Sequence, residues 1–182
     1  PEKPWMPFTA EQTLSATEPA FCWRATFTMA RIIPGVVVDR FENGRGHLDA
    51  KLLGLIRVAH GEGPTIDRSQ LQRYLAEIVW CPMALLHNQA LRFQVLSPRC
   101  VRLAVRDEET YVDLLFDADG DICGVKTLTR YRGATMQPWQ GRFAEYRVLE
   151  GVRIPTLGEV WWQAPEGRFV YWQGKILRFS LE

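Results

Sequence analysis

Residues 110–132 read TYVDLLF (110–116), DADGD (117–121) and ICGVKTLTRYR (122–132). Two runs rich in β-branched and aromatic residues flank an Asp-Gly turn, which is the pattern of a β-hairpin. Working outward, the pattern repeats. Strand-like runs follow Gln89 at Leu91–Leu96, Cys100–Arg106, Arg142–Leu149, Glu159–Trp162 and Arg168–Leu181. Their connectors, Ser97-Pro98, Asp107-Glu108, Glu150-Gly151 and Pro165-Glu166-Gly167, are turn chemistry. Strands recur about every ten residues with no helix between them, so the pattern predicts an antiparallel meander rather than a parallel sheet.

Toward the amino terminus, Phe21–Met29 alternates apolar and polar residues as a half-buried strand. Val36–Phe41 is a short β-branched strand, and Glu42-Asn43-Gly44 is a hairpin turn. His47–His60 reads as one long strand bent at Gly54. Residues 1–20 are rich in proline and polar residues and read as an extended lead-in, with Trp5 and Phe8 as docking points. One helix stands out over residues 67–81. Asp67 is its predicted cap, Gln70 completes a capping box, and Leu71, Tyr74, Leu75, Ile78 and Val79 fall at helical spacing. Pro82 ends it. The expected fold is mainly β (α+β). It has one large curved antiparallel sheet, a half-barrel of about ten strands, with the principal helix packed on the concave face. No linker or repeat is visible, so residues 21–182 read as a single domain.

The composition is globular: 182 residues, 47% hydrophobic and 24% charged, with 22 Lys+Arg against 21 Asp+Glu. That near-neutral balance gives no electrostatic reason to expect nucleic acid as a partner. No apolar run is long enough for a membrane-spanning helix. Cys22, Cys81, Cys100 and Cys123 lack zinc or redox spacing, and buried free thiols are expected, which favours a reducing, cytoplasmic compartment. His47, His60 and His87 are scattered along the chain, so neither a metal site nor a cofactor is expected. Asp39, Glu42 and Asp49 read as a solvated turn, and Asp117–Asp121 as a plain hairpin lacking the last ligand of a calcium loop.

Aromatic residues reach 12%, with seven Trp, and the cations are mostly Arg. Arg stacks on rings and pairs with carboxylates, so ladders of Arg against aromatic or acidic neighbours are expected. On the helix, Arg73, Glu77, Trp80 and Ala84 share one face. Arg73 and Glu77 read either as a structural pair or as the polar end of a ligand cavity. Arg130 and Glu145 lie mid-strand, where a cross-strand pair would add to that cluster. Trp161-Trp162 puts one ring on each face of its strand. The main functional reading is a non-enzymatic domain that binds an apolar or amphiphilic, lipid-like ligand in an aromatic-lined hollow. Its lining is Trp23, Trp80, Trp139, Tyr146, Trp161 and Trp172, with Arg73 and Glu77 at its polar end. The alternatives are an enzyme with Glu77 as general base in an apolar pocket, and a structural or protein-interaction module. The residues do not specify a ligand, a reaction or an oligomeric state.

The run RYLAEIVWCPMALL (73–86) resembles the signature helix of a largely bacterial family of unknown function. Trp5-x-Pro7-Phe8-Thr9-Ala10-x-Gln12, Phe21-x-Trp23-x-Ala25, Asp39-x4-Gly44-x-Gly46 and Gly151-x2-Ile154-Pro155 extend the resemblance along nearly the whole chain. It implies longer members, some with an amino-terminal membrane segment; a chain starting at Pro1 then fits a processed form or a piece, and a membrane-anchored full-length form is one of the forms the resemblance allows. It implies no mechanism. In outline the expected fold is similar to the half-barrels of lipoprotein carriers, an analogy of fold only.

Overall fold

The computed structural model describes residues 5–30, 32–105 and 107–181. Residues 1–4 of the expected lead-in and Arg106, the expected end of a strand, lie outside the described residues. The chain is mainly β, with every paired strand antiparallel. It divides into two compact units, residues 1–15 with 19–74, and residues 16–18 with 75–182.

The first unit holds a five-stranded meander: β1 (Phe8–Leu14), β2 (Phe21–Met29), β3 (Ile33–Glu42), β4 (Arg45–Leu52) and β5 (Ile56–Gly61). Two expectations change here. The lead-in contains a full strand, because β1 finds a partner in β2 from Phe8↔Phe27 to Leu14↔Phe21. The bent strand over His47–His60 is a hairpin instead, because Leu53 and Gly54 both take positive φ and reverse the chain. Alternation on β2 sends Phe21 and Ala25 into the core and Cys22 outward, so Cys22 is exposed rather than buried. The other three cysteines are half-buried, and none of the four is in a disulfide.

The principal helix, α1 (Pro64–Glu77), begins three residues before its expected start. Pro64 occupies the first position, where its missing N–H costs nothing. Asp67 is not its cap. Its carboxylate turns sideways to accept the Gly46 amide at 2.7 Å and the Arg45 guanidinium at 3.2 Å. Gln70 donates to the His47 carbonyl instead of closing a capping box. The helix lies so close to β4 that a Cβ on Gly46 would stand 2.7 Å from the Ile66 carbonyl oxygen. Gly46 therefore sets how near the helix sits to the sheet.

The boundary between the units falls inside α1, between Tyr74 and Leu75. In the second unit the chain tightens into a 3-10 turn at Ile78–Trp80 and passes through α2 (Ala84–His87). A seven-stranded meander follows: β6 (Leu91–Ser97), β7 (Cys100–Val105), β8 (Asp107–Phe116), β9 (Ile122–Arg132), β10 (Thr135–Leu149), β11 (Val152–Ala164) and β12 (Gly167–Lys175). Its core includes Leu103, Val112, Leu114, Val125, Phe143 and Ile154. The Asp117 carboxylate accepts the amides of Asp119 and Asp121, so Asp117–Asp121 is the plain hairpin expected. The register of β10 slips between Gln137 and Trp139, where Pro138 has no amide to offer the ladder.

Candidate functional site

The residues expected to line one hollow separate along the chain. Arg73 and Trp23 belong to the first unit, the rest to the second. Arg73 pairs with Asp39 of β3, and its guanidinium lies 4.8 Å from the Trp23 ring centroid and 5.0 Å from that of Phe21. Both charged groups are mostly buried, which an ion survives only when paired. Asp39 is thus an interior counter-ion and not part of a solvated turn. Asp49 is likewise mostly buried, with the Arg57 guanidinium at 2.7 Å and the Lys51 ammonium at 3.3 Å.

In the second unit Trp80 is buried over Gly158, edge-on to Phe143 at 5.4 Å and tilted against Trp172 at 6.2 Å. Its indole N–H donates to the Pro155 carbonyl at 3.0 Å. Glycine is needed under it, since a Cβ on Gly158 would meet the indole at 2.8 Å. Glu77 is half-buried. Trp139 donates to the Tyr171 hydroxyl at 2.8 Å and carries the Arg130 guanidinium over its ring at 4.7 Å. Arg130 faces Gln137 in the register, not Glu145. Glu145 is exposed, because its positive φ, where one pair of the β10–β11 ladder is missing, turns it out of the alternation. The expected Arg130–Glu145 ladder pair does not form.

Tyr146 donates to the Ile122 carbonyl at 2.8 Å, and burial pushes its hydroxyl pKa well above the usual tyrosine value. Trp161 is half-buried beneath Arg168, whose guanidinium is 3.9 Å from the ring, while Trp162 is the buried member of the pair and stacks on Tyr171. Arg102 over Tyr111 and Arg153 over Tyr146 complete the expected arginine ladders. These rings are covered by glycines, arginines and one another. Two clefts among the described residues lie elsewhere, and no Phe, Tyr or Trp lines either.

Both clefts are on the first unit. The larger, about 510 Å³, lies where β3 turns into β4 and α1 begins, lined by Arg40, Glu42, Asn43, Arg45, Gly46, His47, Glu62, Gly63 and Asp67. The smaller, about 220 Å³, is lined by Arg24, Val36, Val38, Asp49, Lys51 and Gly54. Next to it the β2–β3 and β4–β5 turns meet at one end of the sheet, stitched by the Leu53 amide donating to the Pro34 carbonyl at 2.8 Å. Large apolar side chains project there. Ile32 is 79% exposed and Leu55 87%, and Met29, Leu53, Ile56 and Val58 are exposed as well. Trp5 and Met6, also exposed, precede Phe8 at the same end, as its pairing with Phe27 requires.

The strand pattern of the sequence does not reveal that tip, yet its composition carries a signal. Neither residues 25–38 nor residues 50–61 contain an Asp or Glu, while Arg31, Lys51 and Arg57 fall within them. An apolar, acid-free run continuing through a turn position is unusual, since turns favour Gly, Asn and Asp.

The fold and these surfaces define a mainly β protein with two antiparallel meanders, one principal helix and no recognisable catalytic constellation among the described residues. Residues 1–180 match DUF6920, described as a family of unknown function, and the chain belongs to that family. Neither a curated protein nor a solved structure matches it. Among the described residues no helix is long and apolar enough to cross a membrane.

Proposed function

We propose that this protein is a non-enzymatic binding module for amphiphiles, and that its first unit docks on an anionic lipid surface through the apolar tip of the five-stranded sheet. One observation carries the reading: two stitched turns hold exposed Met29, Ile32, Leu53, Leu55 and Ile56 in stretches without a carboxylate. Clustered apolar side chains of this kind mark interaction surfaces. Leu53 supports it further. It sits at φ 52° where a hairpin turn would favour Asn, a conformation that costs a leucine about 1–2 kcal/mol. Local strain that local chemistry does not require points to function.

The charge pattern selects the occupant. Lys51 and Arg57 flank the tip, and Asp49 is the first carboxylate beyond it. Lys51 and Arg57 share the one carboxylate of Asp49, which leaves a net positive charge beside the apolar side chains, and that combination suits a bilayer with anionic headgroups. Full burial of a leucine or isoleucine is worth about 1.5–3 kcal/mol, so each inserted side chain is worth roughly tenfold in affinity. The aromatic hollow is not needed for this function.

Co-sedimentation with vesicles of phosphatidylcholine and phosphatidylglycerol tests the reading. The unaltered chain is expected to sediment with them, and Ile32→Asp and Leu55→Asp are each expected to weaken binding about tenfold or more. Failure of the unaltered chain to sediment, or equal sedimentation of the doubly substituted chain, overturns it. So does a concentration-dependent dimer in ultracentrifugation that the same substitutions dissolve, since the tip would then belong to a second copy.

A further inference from the structure

At the other end of the same sheet, β4 carries His47-Leu48-Asp49 and β5 runs into His60-Gly61-Glu62. Each is a histidine followed two residues later by a carboxylate. In the register Leu48 faces Gly61 and Asp49 faces His60. Residues two apart share a face, and so do residues directly opposite across an antiparallel pair. The pairing therefore gathers both histidines and both carboxylates onto one side of the sheet. Linear spacing hides this, because the two histidines are separated by twelve residues of hairpin.

We propose that His47, His60 and Glu62 bind a divalent transition metal of the Zn2+ class. His47 Nδ1 stands 2.9 Å from Glu62 Oε1, and His60 Nε2 stands 3.8 Å from the same oxygen. One ligand atom from each residue falls within 4.8 Å of the others. A tetrahedral zinc with bonds of about 2.0–2.1 Å spaces its donors by roughly 3.3 Å, a value between the two shorter distances. The imidazole rings are 5.4 Å apart and 73° from parallel, so both present a nitrogen toward Glu62 without stacking. All three side chains are accessible enough to adjust by rotation.

Outer support is present too. His60 Nδ1, the nitrogen turned away from Glu62, lies 3.9 Å from Asp49 Oδ1. At that distance Asp49 acts on the imidazole through its charge, and a small rotation of the ring would bring the carboxylate to the hydrogen bond that fixes a metal-binding imidazole's tautomer. Asp49 is itself held by Arg57 and Lys51. Three protein donors leave a fourth position, and His47 and Glu62 both line the 510 Å³ cleft, so that position opens into it. Arg40 and Arg45 on the cleft wall favour water or an anionic group there.

Titration of the full chain with Zn2+ alone, followed by calorimetry, tests the site. Saturation is expected at about one equivalent, and Co2+ in its place is expected to give the intense visible bands of a tetrahedral centre. His47→Ala, His60→Ala and Glu62→Gln should each weaken Zn2+ binding about tenfold or more, and Asp49→Asn by about tenfold. His87→Ala, at an exposed position on α2, should leave it unchanged. Circular dichroism verifies that each variant is folded. Absence of saturable uptake by the unaltered chain overturns the proposal. So does binding that survives both His47→Ala and His60→Ala, or that His87→Ala removes. The vesicle experiment is independent of all these outcomes.

Discussion

The two ends of the five-stranded sheet are built on the same turn geometry and opposite chemistry. At one end β3 passes into β4 through Asn43 and Gly44, at φ 52° and 76°. At the other, β4 passes into β5 through Leu53 and Gly54, at φ 52° and 70°, with the Leu55 amide donating to the Leu52 carbonyl. Asn-Gly is the favoured pair for such a turn, and Leu-Gly is not. Local propensity and backbone agree at the first end, which is polar and lies against the start of α1. They conflict at the second, which is apolar and points into solvent. Backbone geometry alone therefore does not choose the residues. What each end must touch does.

The sharpest way to break this contrast is to move the helix that closes the polar end. Gly46→Val puts a side chain against the Ile66 carbonyl, which cannot move without shifting α1. Urea unfolding is expected to show a loss of about 2–3 kcal/mol, with Zn2+ binding weakened and vesicle binding retained. A loss at both ends would mean that the ends are not separable.

A smaller effect of opposite sign is expected at the tip. Leu53→Asn relieves the left-handed leucine and should stabilise the first unit by about 0.5–1 kcal/mol while weakening vesicle sedimentation. Unchanged sedimentation would remove Leu53 from the docking surface.

The smallest effect is on pH dependence and distinguishes the carboxylate between the two ends. Burial raises the Asp49 pKa, but the Lys51 hydrogen bond and the charges of Arg57, Lys51 and His60 outweigh it and hold the carboxyl below its ordinary value. A carboxyl lowered on folding adds stability above its unfolded pKa of about 3.9 and loses it as pH falls through the folded one. Asp49→Asn should therefore flatten the stability profile below about pH 4 and leave it parallel at neutral pH. Carboxyl chemical shifts followed by NMR would show whether Asp49 titrates below a typical aspartate.

Much of the second sheet was legible, because its strands carry their own turns. Ile122–Arg132 is a strand as read, and Asp117–Asp121 is the hairpin the Asp-Gly step predicts. The first sheet was harder. Phe8–Leu14 contains too few apolar residues to announce a strand, and it becomes one by pairing with β2. Leu53-Gly54 does not look like a turn, so the sequence of the β4–β5 hairpin reads as one bent strand. Asp67 had the local chemistry of a cap, but a β4 amide was a better partner than its own helix. Of the expected site, Arg73 and Trp23 do come together. Arg130 and Glu145 do not, because Arg130 stands opposite Gln137 and the positive φ of Glu145 turns its side chain outward.

By itself, then, the order of residues settled strand against helix, since periodicity and turn chemistry are local properties that few distant contacts can overrule. It also foretold arginine over aromatic rings, which follows from the abundance of both. Which histidine meets which carboxylate, which carboxylate holds Arg73, and which leucines stay in water were decided only when strands paired. Each of these depends on residues brought side by side across a register, and no interval measured along the chain encodes that.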